Sequence, residues 1–225
     1  MSSKVEPTIR AITAGDAARL AALYEAAEAP CHCRYWHFAG DKNEWLERCF
    51  LRPEENRREL DEAVAALRED ALGVVAELAP GAEARQGVDA PSFVGWCKIT
   101  PAPAIAKAYE QRFYRGLDCF GGERAGVWLV GCVLVHPAHR KRGLSERLVR
   151  GAVELARSLG ATAVEAFPRR VCANVADGEL WMGPAGAYER TGFAEVGGED
   201  PYPVLRAELV PSSALRRRGS GGEPT

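Results

Sequence analysis

What this chain lacks narrows it quickly. Across its 225 residues no apolar run reaches the ~18 residues that a helical membrane span needs. The first ten residues, MSSKVEPTIR, hold no apolar stretch of the kind a secretory leader carries, so a cytoplasmic protein is expected. A basic excess is also missing: 29 Lys and Arg stand against 31 Asp and Glu, a formal net charge of −2. That balance speaks against a binder of nucleic acid or of an anionic membrane. Histidine is scarce, at four residues. The seven cysteines fall at 31, 33, 49, 97, 119, 132 and 172, an odd count without a CxxC pair. Neither a metal site nor a disulfide framework is expected, and the thiols read as reduced.

What is present suffices for a core. Apolar residues make up 47% of the chain and charged residues 27%. A chain of this length buries about 70–75% of its unfolded surface without help from metal or disulfides. One domain is expected over 1–211, followed by a disordered tail over 212–225 that carries Arg216-Arg217-Arg218 and GSGGEPT.

The pattern predicts a first strand over 5–12 and a cap at Thr13–Asp16. A helix follows, with Leu20, Leu23, Tyr24 and Ala27 on one face and Pro30 at its end. Residues 31–38, CHCRYWHF, are dense in thiols and rings. Two short helices over 43–51 and 53–68 are divided by Pro53. Strands over 72–79 and 93–100 flank a polar connection and read as a hairpin. Residues 101–125 read as loop with one helical turn. The run Val127–Val135 suits a strand buried on both faces. A helix over 145–159 is expected to turn Leu148, Ala152, Ala156 and Leu159 inward and to stop at Gly160. A strand over 162–167, a short helix over 185–191 and a strand pair over 193–197 and 203–210 complete the order. The class is α/β (α+β), a mixed, mostly antiparallel sheet with a strand–helix–strand crossover near its centre.

The segment that carries chemistry is Val133-Leu-Val-His-Pro137 followed by Arg140-Lys-Arg-Gly-Leu-Ser145. A buried strand runs into a basic turn that opens a helix. The first N–H groups of a helix lack internal acceptors and favour an anion. Gly143 allows a left-handed backbone or a close ligand. The segment is a phosphate cradle that is neither a Walker loop nor a dinucleotide fingerprint, since GxxxxGK[ST] and GxGxxG are both absent.

Arg140-x-x-Gly143-x-Ser145 resembles the R/Q-x-x-G-x-G/A signature of the GNAT N-acetyltransferases. Tyr188-Glu189-Arg190-Thr191-Gly192-Phe193 is similar to that family's YExxGF segment. The clear resemblance spans 127–210. Cys31-x-Cys33-x-x-Trp36, with Gly95-Trp96-Cys97, also looks like a little-characterised bacterial subgroup. The resemblance implies a sheet split open between the 127–135 and 162–167 strands, with helices on both faces and acetyl-CoA in the V. The pantetheine arm would pair with Val133, Leu134 and Val135, and the pyrophosphate would rest on Arg140, Lys141, Arg142, Gly143, Leu144 and Ser145. Tyr188 corresponds to the tyrosine that protonates the departing thiolate, a suitable task for a phenol of pKa about 10.

Two departures stand out. Ser145 replaces Gly or Ala, and the 127–135 strand offers no carboxylate base. Glu165, His136 and a water relay remain open as the base. The implied activity is direct acetyl transfer to a primary amine of a small-molecule or peptide acceptor. The competing readings are a non-catalytic acyl-CoA-binding module, and a transferase for a longer acyl group or a non-amine acceptor. The acceptor would be shaped by 24–51, 101–125 and 196–204, and the resemblance allows a homodimer.

Overall fold

The computed structural model describes residues 6–79, 93–171 and 175–209. The connection over 80–92, Cys172 and the tail over 212–225 lie outside the described residues. In chain order the strands are β1 (Thr8–Ala11), β2 (Gly73–Glu77), β3 (Phe93–Pro101), β4 (Val127–Val135), β5 (Ala163–Ala166), β6 (Ala194–Glu199) and β7 (Tyr202–Glu208). The helices are α1 (Ala17–Ala26), α2 (Lys42–Leu51), α3 (Pro53–Ala65), α4 (Ala106–Tyr109), α5 (Leu144–Ser158) and α6 (Ala185–Glu189). The strands form one sheet in the order β1-β2-β3-β4-β5-β7-β6. Only β4 and β5 run parallel, joined through α5, and every other neighbouring pair is antiparallel.

Local chemistry explains the element ends. Asp41 accepts from Asn43 N at 2.7 Å and Glu44 N at 2.9 Å, and Glu44 reaches back to Asp41 N at 2.7 Å. This reciprocal cap satisfies donors that α2 leaves open. Pro53 opens α3, where its missing N–H costs nothing. Ahead of α1, the buried Asp16 carboxylate accepts from Thr13 N, Thr13 Oγ1 and Arg10.

The sheet is covered on both faces. Leu148, Val149, Ala152 and Ala156 of α5 are fully buried on one of them, among Val74, Ile99, Val130 and Val164. Gly95 lets α5 approach, since a Cβ there would lie 2.8 Å from Leu148 Cδ1. On the other face Leu20, Leu23 and Tyr24 of α1 and Leu60 and Val64 of α3 pack on Val75, Phe93, Trp96 and Cys132. The expected inward Leu159 is corrected: it is 47% exposed, because the helix has already ended at Ser158 and its backbone leaves helical geometry there. Among the described residues no helix is long and apolar enough to cross a membrane.

Candidate active site

The sheet opens where β4 and β5 part. Their pairing runs from Val127 opposite Ala163 to Val130 opposite Ala166 and stops there. On the other side of β4, Ile99 faces Val130 while Lys98 faces Cys132, so Gly131 is an extra residue in the ladder. Such a bulge bends its strand and adds twist, which carries the last half of β4 away from β5. The Gly131 carbonyl accepts from Trp36 Nε1 at 3.1 Å.

The gap is a cleft of about 580 Å³, with β4 as one wall and the start of α5 at its end. Val133, Leu134, Val135, Arg140, Lys141, Gly143, Leu144 and Ser145 all line it. Arg142 does not, and is exposed. His136 Nδ1 accepts from Ala138 N at 3.2 Å and shapes the turn after β4. Lys141 (φ 59°) and Gly143 (φ 76°) then swing the chain into α5 through two left-handed residues. A Cβ on Gly143 would meet nothing within 4 Å, so the ground in front of the helix is open. The first-turn amides of α5 have no intrahelical acceptor. Beside them Glu146 is paired with Arg150 at 3.1 Å and Arg190 at 2.9 Å. Open space, free amides and cationic side chains fit a pyrophosphate.

The cleft-side edge of β4 is engaged within the chain. Val133 N donates to Trp181 O at 2.9 Å, and Arg140 Nε donates to Val135 O at 3.2 Å. Trp181 lies across the opening, with its ring 5.1 Å from Trp36 and edge-on to Tyr35 at 6.1 Å. Nothing in the residue pattern around 181 announces this placement. Tyr24 and Cys31, from the 24–51 segment expected around the acceptor, line the same cleft, and so does Cys132 of β4, which no local signal marks for it.

The two catalytic candidates lie apart from that lining. Tyr188 is fully buried on α6, and its hydroxyl donates to the Met182 carbonyl at 2.5 Å. Burial, with smaller effects from Cys97 and Cys132, raises its pKa well above the phenol range, so it keeps its proton. Glu165, also fully buried, is the hub of an ion-pair cluster between β4 and β7. Tyr109 donates to it at 2.7 Å, Arg124 at 2.5 and 3.0 Å, and Arg206 Nε at 2.9 Å. Burial pushes the carboxyl up, but hydrogen bonds from Arg124, Arg206 and Tyr109 prevail and hold it below the usual range. A carboxylate so placed is a weak base, and it binds strands.

A second cavity of about 420 Å³ adjoins the cleft and shares Tyr24, Glu28, Ala29 and Pro30 with it. Glu25, Glu28 and Glu54 line it, along with Arg57. His32 is buried against it, with no hydrogen-bond partner for Nδ1 among the described residues, and stacks on Tyr24 at 4.9 Å. Burial first, and then Arg57, bring its pKa down to about 4, so the ring is neutral. Of the three segments expected around the acceptor, the start of 24–51 reaches the cleft; 101–125 and 196–204 do not line it.

Comparison with known proteins agrees with this geometry. No curated protein matches the chain. Among solved structures, AAC(6′)-Ib in complex with ribostamycin and coenzyme A is 18% identical over 96% of this chain and 99% of that one, with a TM-score of 0.50. A GNAT family acetyltransferase from Brucella melitensis in complex with acetyl-CoA is 20% identical over 92% of this chain and 90% of that one, with a TM-score of 0.47. A putative acetyltransferase from Salmonella typhimurium with its cofactor acetyl-CoA is 17% identical over 92% and 98%, also at 0.47. At these identities the first likeness speaks to fold alone. The model of the acetyltransferase (GNAT) family matches residues 35–177, which take in the bulge, the splayed strand and the cradle. The chain belongs to the GNAT acetyltransferase family.

Proposed function

We propose that this protein is an acetyl-CoA-dependent N-acetyltransferase that acts directly on a primary amine. The observation that carries the reading is the splay of β4 from β5 at the Gly131 bulge, in front of an anion cradle at the start of α5. When bound, acetyl-CoA would supply an activated acetyl thioester. Arg140, Lys141 and the amides from Gly143 to Ser145 would hold its pyrophosphate, and the β4 edge would align its arm. Alignment at Val133 asks the Trp181 carbonyl to give up its bond, so the turn around Trp181 moves as the arm enters.

The acidic cavity beside the cleft supports an amine acceptor. Glu25 is paired with Arg57, which leaves Glu28 and Glu54 to attract an ammonium, and Glu28 reaches both cavities. Holding amine and thioester in line supplies much of the acceleration, because orientation replaces an encounter in solution. Tyr188 keeps its proton at neutral pH and suits a donor to the leaving sulfur. To act so, its hydroxyl must exchange the Met182 carbonyl for that sulfur. Glu165 has no part in this scheme. The CxC and Trp36 segment, whose Cys31 lines the cleft, is the feature by which the chain would fall into a narrower subgroup.

A second reading is favoured by the same Tyr188 bond: a protein that binds acyl-CoA and does not turn it over. Incubation with acetyl-CoA and a pooled panel of amines and peptides, read by mass spectrometry, separates the two. An acetylated amine that fades in Tyr188→Phe establishes the transferase. Tight acetyl-CoA binding with no product from any amine supports the binding module.

A further inference from the structure

Lys98 of β3 is fully buried, and among the described residues its ammonium pairs with no carboxylate. It touches the Cys33 carbonyl at 3.2 Å and His37 Nε2 at 2.5 Å, both neutral. His37 stays neutral because burial, Lys98 and Arg34 depress its pKa. A buried cation with only neutral contacts is costly, so a nearby anion is expected. Cys33, whose carbonyl Lys98 touches and which lies in one buried cluster with Trp96 and Cys132, carries the thiol that can supply that anion. Lys98 and Cys132 are register partners across β3 and β4, so both side chains leave the same face of the sheet. Trp96, two residues before Lys98, shares that face. Tyr24 of α1 closes the group from above, with its hydroxyl 3.9 Å from Cys132 Sγ.

Cys33 thus shares one buried cluster with Cys132, Tyr24 and Trp96, and among the described residues the Trp96 Nε1 donor has no hydrogen-bond partner. His32 (φ 42°) and Cys33 (φ 56°) adopt left-handed backbones without being glycine, which strains the chain at both residues. Strain of this kind persists where the surroundings over-determine it, often at functional positions. Burial raises a thiol pKa, but the Cys132 hydrogen bond and the Lys98 charge prevail and hold Cys33 below the ordinary range. Burial lowers Lys98 to about 8. Cys31, next along the chain, is pushed up to about 12 by burial.

We propose that Cys33 and Cys132 are a peroxide-sensitive dithiol, with Cys33 as the reacting thiolate and Cys132 as the resolving thiol. The Cys33 sulfur attacks one oxygen of hydrogen peroxide and the O–O bond breaks. The departing hydroxide takes a proton from Lys98 and leaves as water, and Cys33 becomes a sulfenic acid. Neutral Lys98 then takes the proton of Cys132. The Cys132 thiolate attacks the Cys33 sulfur, the S–S bond forms and the S–O bond breaks. Lys98 protonates that hydroxide, giving a second water. The two sulfurs lose two electrons and peroxide gains them. Cys132 lines the cleft, so the bond fastens the 31–33 segment to the wall of β4. This inference stands whether or not the chain transfers an acetyl group.

The test is titration of the reduced full-length protein with hydrogen peroxide. The expected result is a mass loss of about 2 Da per chain, a Cys33–Cys132 link in the unreduced peptide map, and reversal by dithiothreitol. Cys132→Ser should leave a Cys33 sulfenic acid that dimedone labels. Iodoacetamide labelling of Cys33 against pH, resolved by fragmentation from Cys31, should turn on below the ordinary thiol value of about 8.5. The titratable and charged groups around it are Tyr24 from α1, Lys98 from β3, Cys132 from β4, and Cys31 and Arg34 on its own segment, while Cys97 of β3 lies across the sheet. Asp70 acts on it through Lys98. Lys98→Met fills the same space without a charge, and should raise that midpoint and slow linkage roughly tenfold. A Cys31–Cys33 link, a Cys33 oxidised while Cys132 stays free, or a midpoint indifferent to Lys98→Met would each overturn the proposal.

Discussion

Trp36 Nε1 donates to the carbonyl of Gly131 at 3.1 Å, across 95 residues of sequence. The accepting carbonyl belongs to the extra residue of the β4 bulge, which the ladder to β3 leaves out. An aromatic donor from the thiol-rich segment therefore fastens the point at which the cleft opens. Trp36→Phe keeps the ring against Trp181 and removes the donor. A buried carbonyl left unpaired costs about 1–3 kcal/mol, so thermal or denaturant unfolding should show a loss in that range. Titration calorimetry should show weaker acetyl-CoA binding as well. Unchanged stability and affinity would mean that the bulge holds itself.

Gly143 separates conformation from space. Its positive φ disfavours any side chain by about 1–2 kcal/mol, yet a Cβ there meets nothing. Gly143→Trp should fold and should place an indole where the pyrophosphate is proposed to lie. Acetyl-CoA affinity should fall by at least about tenfold, equal to 1.4 kcal/mol, by calorimetry. Wild-type affinity in a folded variant would move the phosphate site elsewhere.

Glu165→Gln probes the ion-pair hub. Removal of the anion leaves Arg124 and Arg206 facing one another in a buried setting, at a cost of about 3–5 kcal/mol. The pH dependence has a definite sign. Glu165 titrates lower in the folded chain than when unfolded, so its stabilising contribution is complete above the ordinary Glu value of about 4.3. It is lost as pH falls through the lower folded value. Stability of the Gln variant, followed by denaturant melts from pH 7 downward, should therefore decline less steeply in acid. Full stability at pH 7 with abolished turnover would instead return Glu165 to the role of base.

Tyr188→Phe tests the acid. Loss of the hydroxyl leaves the Met182 carbonyl without that donor and should cost about 1–3 kcal/mol in stability, which unfolding measures separately from catalysis. If the phenol protonates the leaving sulfur, turnover should fall by about 10²–10⁴-fold with acetyl-CoA binding retained. Turnover at the wild-type rate across the pH range would remove Tyr188 from the mechanism.

Much of this architecture is legible along the chain because it rests on local signals. Val127–Val135 is a strand at the bounds that its apolar run marks, and Gly160 ends α5 with a φ of +86°. The cradle is legible for the same reason: a basic turn before a helix is a short-range pattern. Glu165 shows the limit. Its strand was placed correctly, but its partners Tyr109, Arg124 and Arg206 lie about 40 or more residues away on other elements.

Strand and helix order, the freedom of Gly143 to turn left-handed and the anion-seeking start of α5 follow from residue order along the chain. Periodicity, capping and glycine conformation are properties of neighbours along the chain. That Trp36 holds the bulge, that Trp181 takes the N–H of Val133, and that Lys98 is buried in one cluster with Cys33 and Cys132 emerges with the folded sheet. Each of these joins segments about 30 to 100 residues apart. Their chemistry arises from burial and register, which exist only once the sheet has formed.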